Sequence, residues 1–305
     1  MMNRKNFIKS AALIAGATVA APMVGASGIV SSNMSTAPKR LKKGLGYDMI
    51  KEELSLVDKF KLVKDLGYDG IEFNSPVAIT VQELLKAKIA SGIEIPSVVN
   101  KDHWSKPLSD PDASIRQFTI DSVAKSLQEV KELGGDTVLV VPGVVNEKVS
   151  YGVAYKNALD SVRKLIPHVE KTGMKIGLEN VWNNFILSPI EAKMFVDEID
   201  HPLIGWYFDI GNILRYGWPE HWIEVLNKRI FKLHAKEFSR QKMNDEGLWK
   251  GFNVDLLKGD INWANVMKTV REVDYKGGWL TVEVGGGDRN HLKAISTQLD
   301  QIVSL

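Results

Sequence analysis

Four apolar runs in the second half of the chain each carry, at or near their end, a residue that an apolar interior cannot hold alone. Residues 205–212 read Gly-Trp-Tyr-Phe-Asp-Ile-Gly-Asn. The aromatic half of that run suits a strand buried on both faces. Asp209 stands where the run stops, and Gly211 breaks it. Residues 174–180 lead to Glu179, residues 230–236 carry His234, and residues 279–284 carry Glu283. A buried carboxylate is costly unless a partner or a metal takes its charge. Glu, Asp, His and Glu, each closing a successive strand, therefore constrain the fold more than any other feature.

From residue 41 onward, strand-like and helix-like segments alternate, which is the pattern of a parallel sheet with crossover helices. The expected strands cover residues 43–47, 70–73, 93–99, 137–141, 174–178, 205–208, 230–234 and 279–284. Helices are expected over residues 54–66, 80–90, 113–133, 151–171 with a kink at Pro167, 189–199, 218–226, 263–273 and 291–303. Ser188 before Pro189, and Thr80 at the head of its segment, read as N-caps, while Gly67, Gly92 and Gly134 read as stops. Residues 236–260 read as an irregular insertion. Eight strands and eight helices predict a single-domain α/β (β/α)8 barrel over residues 41–305. The rival open sheet lacks a Gly-x-Gly-x-x-Gly after an early strand.

Composition narrows the function. The net charge is +2 over 305 residues, which gives no electrostatic case for nucleic acid as a partner. There is no cysteine, so disulfides and thiolate metal sites are excluded. The first residues carry Arg4, Lys5 and Lys9 without an acid, followed by a small apolar run and a small-residue cleavage site near Ala26. That is a signal peptide over residues 1–26, with a linker over 27–40, and it predicts export to the periplasm. The run is too short for a comfortable membrane span, so no stable membrane anchor is expected after processing.

In such barrels the strand C-termini and the loops after them build the active site. Glu179, Asp209, His234 and Glu283 would then converge on one mouth. Three carboxylates and an imidazole suit one divalent ion, Mn, Co, Zn or Mg. Around them stand further candidates: His103 as a catalytic acid, base or donor, and Trp104, Trp182, Asn183, Asn212 and Lys236 as substrate contacts. Glu72 closes the second strand and either faces the mouth or pairs with a neighbouring base, the pairing being favoured.

The segments Leu178-Glu179-Asn180, Phe208-Asp209-Ile210-Gly211-Asn212, Leu233-His234-Ala235-Lys236-Glu237 and Val282-Glu283 resemble the xylose isomerase-like TIM barrels, a group that includes sugar phosphate isomerases and epimerases of the tagatose 3-epimerase type. The resemblance implies that the four matching residues bind one divalent metal and that Glu179 and Glu283 also form the acid/base pair. It implies a sugar isomerase or epimerase working by proton transfer through an enediolate, and the expected export, away from the mainly cytoplasmic sugar phosphates, points to an unphosphorylated carbohydrate. A lyase or hydratase of 3-keto sugars or 3-keto-glycosides is the alternative with the same metal site. A non-catalytic sugar-binding barrel and an apurinic-site endonuclease rank lower. Epimerases of this type often carry histidine three residues after the aspartate, where this chain has Asn212. A homo-oligomer is compatible with this reading.

Overall fold

The computed structural model describes residues 40–305. The predicted signal peptide and all but the last residue of the predicted linker lie outside the described residues. Eight strands pair in sequence order, all parallel, and close into a barrel. They are β1 Lys42–Gly46, β2 Gly70–Ser75, β3 Ser97–Asn100, β4 Thr137–Val140, β5 Lys175–Glu179, β6 Ile204–Asp209, β7 Ile230–Ala235 and β8 Trp279–Val282.

The expected helices form where apolar residues recur at helical spacing, and their ends follow the capping residues. α1 is Leu56–Asp65, α2 is Val81–Ser91 and α3 is Ala113–Leu133. Thr80 and Glu83 form a reciprocal capping box on α2, and Gly92 ends it in the left-handed conformation. The predicted helix over 151–171 is two helices, α4 Tyr151–Arg163 and α5 Ile166–Thr172. Pro167 has no N–H and clashes with the carbonyl four residues back, so it sits in the first turn of a new helix rather than inside an old one. α6 is Pro189–Ile199, and Ser188 and Glu191 box its N-terminus. Replacing such a cap by alanine costs about 1 kcal/mol.

α7 is Pro219–Leu226. The segment read as an irregular insertion is ordered. It holds α8 Arg240–Glu246 and a 3-10 turn over Leu248–Phe252. α8 has no buried residue, so it carries no apolar period to read. Glu237 pins the segment: its carboxylate accepts from the N–H groups of Phe238, Leu257 and Ile261 and from Trp263 Nε1. α9 Trp263–Glu272 and α10 Arg289–Ser304 complete the ring.

Below the mouth the barrel interior is polar where it supports the site. Glu72, Ser97 and Tyr207 are buried and joined to one another. Gly177 makes room for them, since a Cβ there would lie 2.9 Å from Tyr207 Cβ.

Candidate metal centre and active site

Parallel register sets the height of the four predicted ligands. Glu179 ends β5, and Asp209 ends β6 opposite His234 of β7. Glu283 lies one residue past β8, where its N–H donates to Ala235 O at 3.0 Å. One ligand atom from each of the four side chains lies within 4.8 Å of the others. His234 Nδ1 stands 3.2 Å from Glu179 Oε1 and 3.2 Å from Glu283 Oε2. A cation with ligands at about 2.1 Å spaces adjacent donors by about 3 Å and opposed ones by about 4.2 Å. The set fits that geometry. Asp209 adds a second sign: it is fully buried, its Oδ1 accepts from the Asn212 N–H at 2.7 Å, and its Oδ2 accepts no hydrogen bond. A buried carboxylate oxygen whose only close partner is the Lys236 ammonium at 3.2 Å has capacity left for a cation.

Glu72 fixes how His234 faces the set. Burial disfavours its charge, but His234, Ser97 and Tyr207 outweigh burial and hold its carboxyl below the usual range. An ionised carboxylate only accepts, so the 2.9 Å contact between Glu72 Oε2 and His234 Nε2 puts a proton on Nε2 and aims Nδ1 at the other carboxylates. Ser97 Oγ–H and Tyr207 Oη–H donate to the other oxygen at 2.6 and 2.7 Å. A carboxylate behind a ligand histidine is the usual way a metal site fixes imidazole orientation. The expectation that Glu72 pairs with a neighbouring base is therefore met by the site's own histidine. Glu72 also lines the mouth, so the two alternatives open for it from sequence, facing the mouth or pairing with a base, both hold.

The electrostatics of the four follow from burial and from one another. Burial, with Glu283 and Asp209 close by, pushes Glu179 up to about 7. Burial also raises Asp209, against the pull of Lys236. Burial opposes charge on Glu283, but Lys236 and His234 overcome it and hold the carboxyl far below its ordinary value. Its side chain is 52% exposed, so solvent screens part of that effect. Burial likewise opposes a charged His234, yet Glu72, Glu179 and Glu283 raise its proton affinity well above normal. A site that attracts protons this strongly attracts other cations for the same reason.

Asn180, within the quoted Leu-Glu-Asn segment but given no role from sequence, laces the strand ends together. Its Nδ2 donates to Asp209 O at 2.7 Å, and its Oδ1 accepts from the Asp209 N–H and from Trp206 Nε1. Asn212 donates back to Asn180 O at 3.0 Å.

A cavity of about 350 Å³ opens beside the four ligands, toward β1 to β4. Glu72, Glu179, His234 and Glu283 form its floor, and Tyr47, Phe73, Asn74, His103 and Trp104 are among its walls. His103 is buried and its Nδ1 accepts from the Val141 N–H at 3.2 Å, so the neutral ring carries its proton on Nε2. Burial lowers its pKa to about 4. It is a hydrogen-bond donor near neutral pH, and the expected acid/base role does not suit it. Trp104 is half exposed, edge-on to His103.

The other candidates lie outside this cavity's lining. Trp182 donates to Asn212 O at 2.8 Å and packs among Phe238, Trp249 and Phe252. Asn183 is buried. Its amide donates to Gly143 O and accepts from the Phe185 N–H, so it ties two loops together instead of facing a sugar. Lys236 Nζ stands 3.2 Å from both Asp209 Oδ2 and Glu283 Oε2, against ligands and not in the cavity wall.

A closed parallel barrel with a carboxylate–histidine set at its strand ends defines a class of protein, and comparison names its family. The chain belongs to the xylose isomerase-like TIM barrel family, whose model matches residues 60–302. An uncharacterized protein of Methanocaldococcus jannaschii is 28% identical over 169 residues, a match spanning 53% of this chain and 56% of that protein. L-ribulose-5-phosphate 3-epimerase UlaE of Shigella boydii is 19% identical over 235 residues, covering 73% of this chain and 80% of the relative. Among solved structures, 3-keto-D-glucoside 4-epimerase YcjR of E. coli superposes with a TM-score of 0.74 at 16% identity, over 87% of this chain and all of that one. D-psicose 3-epimerase of Clostridium cellulolyticum, solved with D-tagatose, gives 0.70 at 19% identity, over 86% and 98%. At these identities the structural likeness establishes the fold. Among the described residues no helix is long and apolar enough to cross a membrane.

Proposed function

We propose that the protein is a divalent-metal-dependent epimerase or isomerase of an unphosphorylated carbohydrate. The observation that carries this reading is the convergence of Glu179, Asp209, His234 and Glu283 within 4.8 Å, with Asp209 Oδ2 buried and accepting no hydrogen bond. A divalent cation held there supplies positive charge beside a sugar carbonyl and its neighbouring hydroxyl, which acidifies the C–H between them. The chain's own groups do the rest. Glu179 and Glu283 reach the same point from β5 and from beyond β8. One removes the proton to leave an enediolate, and the other returns a proton. Return on the opposite face inverts the carbon, and return on the same face to the neighbouring carbon interconverts aldose and ketose. His103 Nε2–H offers a neutral donor to a sugar hydroxyl, and Trp104 and Tyr47 offer apolar faces.

Likeness to a 3-keto-D-glucoside 4-epimerase supports 3-keto-glycosides, beside free ketoses, as substrates to test. The leader pattern supports an exported, periplasmic enzyme, which meets mainly unphosphorylated sugar. Proton NMR in D2O, with metal-loaded protein and both substrate panels, tests the proposal. Deuterium entering beside the carbonyl with a new epimer or isomer is expected. Loss of an aglycone, or hydration of an enone, instead assigns the lyase or hydratase chemistry. Unchanged spectra on every substrate, with metal bound, contradict the enzyme reading on these substrates.

A further inference from the structure

Lys236 is two residues past His234, and its ammonium touches two of the four ligand carboxylates at 3.2 Å each. One of those oxygens is Asp209 Oδ2, which otherwise accepts nothing. The other, Glu283 Oε2, is the oxygen that also faces His234 Nδ1. A fixed monovalent cation therefore shares the oxygens a divalent ion needs. Three carboxylates against one divalent ion leave one negative charge, and Lys236 cancels it. In the same position the ammonium also lies 3.5 Å from Asn212 Oδ1 and 5.6 Å from the centre of the Phe252 ring, which can keep it seated once an ion takes the carboxylate oxygens. Asn212 suits that seat because an amide oxygen accepts from lysine at any pH, whereas a protonated imidazole at the same place would repel it.

Resting on the metal reading above, we propose that Lys236 is a built-in competitor and charge balancer for the divalent ion. It weakens the site's hold on the ion so that the ion exchanges, and it gives up the two carboxylate oxygens, keeping Asn212 and Phe252, when the ion seats. Lys236 is a positioning residue for the cation, and its effect is read in binding itself.

The test is calorimetric titration of Mn2+ into chelator-treated full-length protein, for wild type, Lys236→Met, Lys236→Arg and Asp209→Asn. Wild type should bind one Mn2+ that Asp209→Asn loses. Lys236→Met should bind it about tenfold or more tightly than wild type. Lys236→Arg, which keeps the charge, should stay weaker than Lys236→Met. Should Lys236→Met fail to fold, Lys236→Gln carries the same test. Equal or weaker binding by the neutral variants, with Asp209→Asn still lost, overturns the inference and leaves the metal site standing. Absence of binding to wild type removes the metal reading, and this inference with it.

Discussion

Around the mouth, the ends of β5 to β8 carry charge, while the ends of β1 to β4 carry mostly neutral surface. On the first side Glu179, Asp209, His234, Lys236 and Glu283 are held by contacts that leave little freedom: Asn180 laces β5 to β6, and Glu72 crosses beneath the mouth to hold His234. On the second side Tyr47, Phe73, Asn74, His103 and Trp104 border open volume, with Asp48 and Lys51 the charged exceptions. The difference teaches a division of labour. Rigid, charged strand ends suit proton transfer at a fixed point. A neutral, roomier wall suits recognition of a sugar, where apolar faces and single donors select shape.

The strongest way to break this division is on the charged side. Glu179→Gln and Glu283→Gln should each lower turnover by about 10²- to 10⁴-fold, read as deuterium exchange beside the carbonyl. Wild-type exchange in either variant would remove the acid/base pair. Next comes Glu72→Gln, which keeps shape but no longer demands a proton on His234 Nε2. Cation affinity or activity should fall by about 10- to 100-fold. An unchanged affinity would make Glu72 a mere space filler.

pH gives a third test. With its carboxyl raised to about 7, Glu179 is largely protonated below that pH in the cation-free protein. A ligand carboxylate must shed that proton, and His234, whose proton affinity is raised well above normal, must shed one from Nδ1 as well, so cation affinity should rise with pH across 6 to 8, by about tenfold or more per unit. Titrations at pH 6, 7 and 8 check the sign. An affinity flat across that range would contradict it. The smallest effects belong to the neutral wall. Trp104→Ala should raise KM several-fold with little change in turnover, which marks a contact made equally in ground and transition states. Because burial keeps His103 neutral above about pH 5, His103→Gln should likewise move KM and leave the shape of the pH–rate profile intact. A profile that loses a limb in that variant would return His103 to the acid/base role.

The same contrast explains how much was legible in the sequence. β5 to β8 are mainly apolar runs with an acid or a histidine at or just past the C-terminal end, and burial makes such a residue conspicuous. The barrel order and the four side chains that converge at its mouth could be read directly. The neutral wall gave weaker signals. A loop histidine and tryptophan carry no period, and Asn183 reads like a sugar contact until Gly143 and Phe185 are seen to use its amide. Glu72 lay 107 positions ahead of Glu179 in the chain, and only barrel closure brings it under His234. Helix α8 escaped because all of its side chains face outward or are half-buried, and its anchor, Glu237, works through backbone N–H groups that sequence does not display. Pro167 was noticed, but whether a proline kinks a helix or starts a second one depends on the packing of the turns around it.

The central claim is that one divalent ion sits among Glu179, Asp209, His234 and Glu283. Diffraction from crystals of the Mn2+-loaded protein, collected at the manganese absorption edge, tests it most directly. A single anomalous peak within about 2.0–2.4 Å of a carboxylate oxygen from each acid and of His234 Nδ1 is the predicted result. A peak elsewhere, or none at the strand ends of β5 to β8 in crystals that contain manganese, would contradict the account.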